Sequence, residues 1–258
     1  MTVHAQSQDP VAEVASRPKP DVAPSHGLQA QILERLGLAL TSGELKSGSV
    51  VRIEELEERY GVSRSVIRET LQVLASMGML VSRRRIGVQI LPFAEWNLFD
   101  PRLIRWRLAS SERIAQLRSL TELRTAIEPE AARLAATRAP LSSASELMGL
   151  AGKLWAAGQA GDSEGFLEID VHFHRLVLIS SGNEMFGKLD SLVAEGITGR
   201  THYGLMPQHP PADALQLHVD IANAIQRKNP DHAHDAMLRI MQRTLDEMSS
   251  IWDAQILE

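Results

Sequence analysis

The segment RIEELEERYGVSRSVIRETLQVLASMGMLVSRRRIGVQILP, residues 52–92, decides the fold of the N-terminal part of the chain. Apolar residues recur at helical spacing up to Tyr60, and Gly61 can adopt the positive φ of a tight turn. Ser63 stands where a second helix needs an N-cap, and the apolar spacing resumes from Ile67. The sequence therefore predicts two short helices joined by a sharp turn.

The residues after the second helix predict a β-hairpin. Residues 80–82 and 88–90 are typical of strands, and they flank three consecutive arginines. Two helices followed by a basic hairpin form a winged helix-turn-helix, which binds duplex DNA. The predicted contacts of this region with bases or phosphates come from Ser63, Arg64, Ser65, Arg68, Arg83, Arg84, Arg85 and Gly87.

Composition narrows the class of protein. The chain has 258 residues, 44% of them hydrophobic and only 4% aromatic, and it contains no cysteine. The absence of cysteine excludes disulfides and thiolate metal sites and favours a cytoplasmic protein. No apolar run is long enough to span a membrane, and the N-terminus lacks the pattern of a secretory signal.

The net charge of −5 is distributed unevenly. Residues 28–92 hold nine Lys/Arg and seven Asp/Glu, a net charge of +2, whereas residues 93–258 hold sixteen against twenty-two, a net charge of −6. The basic excess lies in the predicted DNA-binding region. Because +2 is modest, we expect a homodimer to double the number of arginines that face DNA.

The chain divides into four predicted segments and is mainly α-helical. Residues 1–26 form a disordered tail, residues 27–92 the winged helix-turn-helix, and residues 93–110 a connector with a short helix after Pro101. In the connector we expect Trp96, Phe99, Ile104 and Trp106 to pack between domains. Residues 111–258 form an all-α bundle, with helices predicted at 111–138, 142–160, 162–181, 184–201, 211–227 and 230–255.

Polar residues inside the predicted bundle indicate a ligand pocket. Asp170 and His174 share one helix face, Arg124 and Glu128 share another, and His218 lies on an apolar helix. A buried Arg124 is a clamp for a carboxylate, and one Asp with two imidazoles suits Zn²⁺ or a similar divalent ion. Each of these features also fits a simpler role. Asp170 and His174 can form a structural hydrogen bond, and Arg124 and Glu128 can form an exposed ion pair. His218 can be a buried histidine whose hydrogen bonds are satisfied within the protein.

Several motifs resemble the GntR superfamily of regulators. The segment 61–80, GVSRSVIRETLQVLASMGML, with the wing that follows, is similar to its DNA-binding domain. The segments LRTAIEPEAARLAA (123–136), DVHFHRLVLISSGN (170–183) and LHVDIANAI (217–225) are similar to the all-α FCD effector domain of the FadR-like branch. The segments EWNLFDPRLIRWRL (95–108) and ITGRTHY (197–203) resemble regulators of gluconate and galactonate catabolism.

The resemblance implies a dimeric transcription factor, usually a repressor, that responds to a small molecule. Arg64 and Arg68 match recognition-helix contacts and Gly87 matches the wing tip. Arg124 matches the residue that meets the effector carboxylate. Asp170, His174 and His218 match positions that bind a metal ion.

The chain departs from the family pattern at two positions. Glu54 stands where many members place an arginine that contacts DNA, so Arg52 is the candidate substitute. Ile240 occupies the position of a fourth metal ligand, a histidine in other members. Either three ligands and effector oxygens complete the coordination, or the polar cluster binds a polyol directly, with His202 as a further polar group.

Taken together, these observations predict a repressor and not an enzyme. A sugar acid such as gluconate is expected to release this repressor from an inverted-repeat operator. The predicted effector-binding residues are Arg124, Glu128, Asp170, His174, His202 and His218. Two alternatives stay open: the same regulator with another hydroxy-acid effector, and a metal-dependent enzyme built on the helical domain. Because metal-bound histidines are neutral, metal affinity is expected to fall below about pH 6.

Overall fold

The structure is a computed structural model that describes residues 25–255, and the predicted tail lies almost wholly outside these residues. The N-terminal part holds three helices and a small sheet, as the sequence predicts. The helices are α1 (Ser25–Thr41), α2 (Ile53–Tyr60) and α3 (Arg64–Ser76), and the strands are β1 (Val50–Val51), β2 (Leu80–Arg83) and β3 (Gly87–Ile90).

The turn between α2 and α3 has the predicted chemistry at Gly61. This glycine ends α2 with φ 65°, and its amide donates to the carbonyl of Glu57. Ser63 occupies the N-cap position of α3, but its side chain makes no capping hydrogen bond and instead lies 2.9 Å from the Ser65 hydroxyl. Ile67 and Leu74 are completely buried against α1 and the sheet, so the opposite face of α3 is left to solvent.

The sheet has the order β1-β3-β2 and is antiparallel throughout. The hairpin of β2 and β3 confirms the predicted wing, with Leu80 paired to Ile90 and Arg83 to Gly87. Strand β1 was not predicted, because two residues are too few to show an alternating pattern.

The connector carries a 3₁₀ turn at Phe93–Glu95 and helix α4 (Pro101–Leu108). Asp100 caps α4 by accepting from the Arg102 amide at 2.9 Å. Trp106 and Ile104 are buried as expected, but the expectation for Phe99 is wrong, since 60% of its surface is exposed. Phe99 precedes α4 in a turn where its amide donates to Asn97, and this turn directs its side chain outward.

Helix α4 contacts both halves of the molecule through glycines. A Cβ atom on Gly37 of α1 would lie 2.3 Å from the Trp106 ring. The Trp106 indole also donates to Glu34 of α1 at 2.6 Å. On the other side, a Cβ on Gly199 in the bundle would lie 2.7 Å from Leu108. The helices approach this closely only because both positions are glycine.

The C-terminal part is an all-α bundle, as predicted. Its helices are α5 (Arg113–Arg138), α6 (Leu141–Ala160), α7 (Ser163–Ser180), α8 (Glu184–Gly187), α9 (Asp190–His202), α10 (Ala212–Gln226) and α11 (Pro230–Gln255). The single helix predicted at 184–201 is wrong, because the chain breaks between α8 and α9. Gly187 disfavours helix, and the Leu189 amide donates back to Phe186 in a tighter turn. Within the described residues, no helix is long and apolar enough to cross a lipid bilayer.

Candidate functional site

The first candidate surface is a groove between the two short helices and the wing. Its walls are formed by the N-terminal ends of α2 and α3 and by the β2–β3 turn. Arg52 and Arg64 line it on one side and the three wing arginines line it on the other. Ser63, Ser65 and Arg68 are exposed on the adjoining face of α3. The structure therefore brings the sequence-predicted cationic residues to one exposed face.

An acidic residue interrupts this basic groove. The carboxylate of Glu54 lies 2.8 Å from the Arg64 guanidinium, and both side chains are more than half exposed. A backbone hydrogen bond and Arg64 together hold the pKa of Glu54 below its ordinary value. Glu54 is therefore ionised at neutral pH, and it orients Arg64 in the free protein.

The family resemblance implies that Gly87 lies at the tip of the wing, but the structure does not place it there. It begins β3 with φ 124°, and a Cβ there would lie 2.9 Å from the Val51 carbonyl oxygen. The tip is formed by residues 84–86, where Arg85 has a positive φ of 65°. Gly87 thus allows β1 to approach β3, and the arginines are the groups presented to a ligand.

The second candidate site is a cavity inside the bundle with a volume of about 60 Å³. It lies between α5, α7, α9, α10, α11 and the segment that joins α9 to α10. This volume has room for a few water molecules. The predicted residues that line it are Arg124, Asp170, His174 and His218.

Glu128 lies behind the cavity and does not line it. It is completely buried, accepts from Arg124 Nε at 2.5 Å through one oxygen, and contacts His174 Nδ1 through the other. The pair of Arg124 and Glu128 is therefore a buried ion pair and not the exposed one that helical spacing also allows. Glu128 holds two residues that face the cavity.

Asp170, His174 and His218 converge, each offering one ligand atom within 4.8 Å of the others. Asp170 Oδ1 lies 3.5 Å from His174 Nε2 and 3.2 Å from His218 Nε2. The Nδ1 atoms of both imidazoles point outward, to Glu128 and to the Ala214 carbonyl oxygen. With Nδ1 turned outward in both rings, both Nε2 atoms face Asp170.

The buried charges stabilise one another. Burial alone would raise the pKa of Glu128, but Arg124 and His174 outweigh it and lower that pKa to about 2. Burial also disfavours the carboxylate of Asp170, yet the two histidines hold its pKa below the ordinary range. Burial disfavours imidazolium at His174, but Glu128 and Asp170 raise its pKa to about 9. His174 is therefore protonated at neutral pH.

His202, the further polar group expected at the site, lies outside the cavity. It is exposed at the end of α9, near Glu195. Arg200, two residues earlier, is the α9 side chain that lines the cavity. Since two residues correspond to about 200° around a helix, a cavity-facing Arg200 turns His202 outward.

The structure adds polar residues that sequence reasoning did not select. Arg200 is buried and donates to the Thr244 hydroxyl at 3.2 Å and to Glu247, both on α11. Arg243 also lines the cavity and pairs with Glu247 at 3.1 Å. Arg200 lies within the segment ITGRTHY and follows Gly196 by one helical turn. This spacing was the signal in the sequence that could have placed Arg200 on the face of α9 that packs against α5. Ile240 lines the same cavity, at the expected fourth-ligand position.

Comparisons with known proteins agree with this architecture. Residues 119–243 match the FCD domain family, and residues 28–90 match bacterial regulatory proteins of the gntR family. A winged helix-turn-helix joined to a helical bundle with a buried polar cavity defines a ligand-responsive transcription regulator. The chain belongs to the GntR family, in the branch that carries an FCD domain.

Named relatives extend over most of the chain. The galactonate operon transcriptional repressor of Escherichia coli is 28% identical over 225 residues, which cover 86% of this chain and 96% of the repressor. A solved GntR protein of Streptococcus agalactiae is 30% identical, with 83% and 97% coverage and a TM-score of 0.47. The structure of E. coli McbR/YncC is 19% identical, with 87% and 98% coverage and a TM-score of 0.50.

Proposed function

We propose that this regulator is a repressor released from its operator by a small carboxylate, a sugar acid such as gluconate or galactonate. The observation that carries the proposal is the buried Arg124, which lines the cavity beside a cluster of hydrogen-bonding groups. A guanidinium binds a carboxylate through two parallel hydrogen bonds. The E. coli relative named for a galactonate operon supports the same ligand class.

The cavity offers two kinds of group to a ligand. Arg124 offers positive charge, and Asp170 with the two histidines offers donors and acceptors for hydroxyls. A six-carbon acid is larger than a few water molecules, so binding requires the cavity to widen. Residues 203–211, between α9 and α10, are the part of the wall outside the helices, and they are the part that we expect to move.

The residues present fit a divalent metal ion as a set of three ligands. Asp170 Oδ1 and the Nε2 atoms of His174 and His218 converge, and each Nδ1 is fixed by an acceptor, as is usual for metal-binding histidines. Ile240 supplies no fourth ligand, which leaves room for effector oxygens. A Zn²⁺ or similar ion would polarise those oxygens when bound.

The protonation state of His174 sets the pH dependence of metal binding. Burial lowers its pKa, but Glu128 and Asp170 outweigh burial and raise that pKa to about 9. His174 must lose this proton to become a ligand. Metal affinity should therefore fall as pH drops below about 9, a higher threshold than the sequence alone predicts. Proton release on titration with Zn²⁺ at neutral pH checks this expectation.

We infer that the protein acts as a homodimer on an inverted-repeat DNA site. One recognition helix reads only a few base pairs, and a second copy supplies the remaining specificity. In this proposal residues 27–92 form the DNA-binding domain, residues 93–110 the connector and residues 111–258 the effector domain. Light scattering that finds a monomer on saturating operator would contradict the dimer.

Helix α4 is the element that we expect to transmit effector binding. It contacts α9, a wall of the cavity, at Gly199 and through the 2.7 Å pair of Arg105 with Glu195. It contacts α1 of the DNA-binding part through Trp106. A shift of α9 therefore reaches α1 directly. The effector can weaken operator binding only by its preference for the shifted arrangement, typically about 1–3 kcal/mol.

The direct test is a thermal-shift screen of small carboxylates on purified protein, with metal content measured on the same sample. We expect a sugar acid to raise the melting temperature and to release an operator selected from a random duplex pool. Neutral sugar alcohols of the same length serve as controls. If no carboxylate stabilises the protein, or if sugar alcohols stabilise it equally, the proposed effector class is wrong.

A further inference from the structure

Arg200 is the polar residue of the cavity whose hydrogen bonding is incomplete. Only 9% of its surface is exposed, and its side chain lines the cavity. Its two terminal nitrogens donate to Thr244 and Glu247, but Nε has no partner. Among the described residues, the only other buried side-chain N or O atom without a partner is the Ser180 hydroxyl. A buried N–H without an acceptor is costly and needs an explanation, such as a bound ligand.

The position of Arg200 places its charge close to that of Arg124. The Arg124 side chain packs on Gly196 of α9, where a Cβ would lie 3.6 Å from Arg124 Cδ. Arg200 follows Gly196 by four residues and therefore lies on the same face of α9. Burial lowers the pKa of Arg200 and repulsion from Arg124 adds to this shift, whereas Glu247 and Asp170 oppose it. Two buried guanidiniums thus face one cavity.

The negative charges around these arginines are unequally placed. Glu128 is completely buried and is engaged by Arg124 and His174. Glu247, the partner of Arg200, is 34% exposed in its side chain and is shared with Arg243. A screened, shared carboxylate neutralises a buried guanidinium less completely than a buried one does. Of the two guanidiniums, Arg200 is therefore the less completely neutralised, and an anion placed between it and Arg124 would meet two positive charges.

We propose that Arg200 is a second anion-binding residue, and that it shares the effector carboxylate with Arg124. The inference rests on the proposed function and assigns the acid end of the ligand to the wall formed by α5 and α9. An oxygen of the carboxylate would accept from the unpaired Nε. A neutral polyol of the same length would offer no anionic oxygen to either guanidinium, so Arg200 contributes to specificity for an acid over an alcohol.

The same assignment connects the ligand to the connector. Arg200 directly follows Gly199, which α4 contacts through Leu108. A carboxylate that draws Arg200 toward Arg124 competes with Glu247 for its guanidinium. The anion is therefore received by the bundle helix that contacts α4.

Arg133 provides a control outside the cavity. It lies on α5 but does not line the cavity, its guanidinium pairs with Glu130 at 2.6 Å, and its side chain is 41% exposed. The variants for the test are Arg200→Lys, which keeps a positive charge for Glu247, Arg200→Gln, and Arg133→Gln as the control.

Isothermal titration with D-gluconate, D-galactonate and their sugar alcohols measures the effect. For the acid that binds the wild type, we expect Arg200→Lys to raise Kd about 10- to 100-fold, the loss typical of one charge-assisted hydrogen bond. Arg200→Gln should bind more weakly still, and Arg133→Gln should stay within about threefold of the wild type. Circular dichroism melting of each variant establishes that it is folded.

Two different failures can be distinguished. If the wild type binds an acid and both folded Arg200 variants bind it equally well, Arg200 has a structural role only and the proposed function stands. If Arg200→Lys is folded but Arg200→Gln is not, the Kd of Arg200→Lys decides. If the wild type binds neither acid, the proposed effector is wrong and this inference falls with it.

Discussion

Two arginine–glutamate pairs, one in each functional region, differ mainly in their surroundings. Arg64 and Glu54 on the DNA-binding face lie 2.8 Å apart, with side chains 55% and 61% exposed. Arg124 and Glu128 in the bundle lie 2.5 Å apart, with side chains 6% and 1% exposed. The first pair is solvated and can separate to meet DNA. The second pair is enclosed, and its charges depend on one another.

The two ion pairs differ in how much they contribute to the stability of the fold. Exposed ion pairs contribute little to folding, so the charges of the DNA-binding face remain available for a ligand. Removing one member of a buried pair leaves an uncompensated charge and is strongly destabilising. We therefore expect substitutions in the groove to change DNA binding alone, whereas substitutions in the cavity change stability as well.

The largest expected effect is that of Glu128→Gln. This change removes the carboxylate that meets both Arg124 and His174, and it should lower the free energy of unfolding by about 3–5 kcal/mol. Urea denaturation followed by circular dichroism measures the loss. Glu54→Gln is the matched surface control and should unfold as the wild type does. A Glu128→Gln variant within about 1 kcal/mol of the wild type would contradict the comparison.

The pH dependence of stability should show the same buried network. Burial opposes the charge on His174, but Glu128 and Asp170 raise its pKa to about 9. A raised pKa stabilises the fold fully below the ordinary histidine value of about 6.5, and this stabilisation is lost as pH rises through about 9. We expect a loss of about 2–3 kcal/mol between these limits, measured by urea denaturation with a chelator present. If His174→Gln loses the same free energy of unfolding over this pH range, a group other than His174 causes the effect.

On the DNA-binding face we expect Arg68→Ala to fold normally and to lose base discrimination. Arg68 is exposed on α3 opposite the buried Ile67 and Leu71. One side chain that contacts a base edge contributes about 1–3 kcal/mol of discrimination. Mobility shifts with a selected operator and single-base variants measure it. Unchanged preferences in both Arg68→Ala and Arg64→Ala would show that α3 does not read the bases.

The smallest effect is expected in the wing. Arg84 is exposed at the β2–β3 turn, where it faces a backbone phosphate in our interpretation. Arg84→Ala should weaken binding to all duplexes alike and reduce the slope of log K against log salt by about one. Anisotropy titrations of operator and unrelated duplexes across a salt series test this. A loss confined to the operator would instead make Arg84 a base-reading residue.

The fold could be predicted from the sequence wherever the periodic pattern of apolar residues extended over a whole helix or strand. The two short helices, the wing hairpin, α4 and most of the bundle helices follow from apolar spacing, glycines and prolines. The break at Gly187 did not, because it depends on one tight turn that a single glycine does not predict, and β1 did not, because two residues are too few to show alternation. Phe99 was misplaced because the turn at Asn97 directs its side chain outward.

The cavity was predictable only in part. The i,i+4 spacing of Asp170 and His174 places both on one face, and the structure brings His218 to them. The rotation of α9, which turns Arg200 inward and His202 outward, is set by its packing on α4, α5 and α7. Gly196 and Gly199 mark the faces of α9 that meet α5 and α4, but this spacing alone does not show which side chain enters a cavity.

The most direct test of the account is operator release by a sugar acid in the wild type and in Arg124→Lys. Lysine keeps a positive charge beside Glu128, so the variant should fold, but it lacks the planar fork that clamps a carboxylate. With a labelled, selected operator and D-gluconate or D-galactonate, we predict that the acid raises the Kd of the wild type for the operator about 5- to 150-fold. The variant should bind the operator equally well and show no release. Release of Arg124→Lys at the wild-type acid concentration would contradict the claim that the buried cavity controls the exposed DNA-binding face through this arginine.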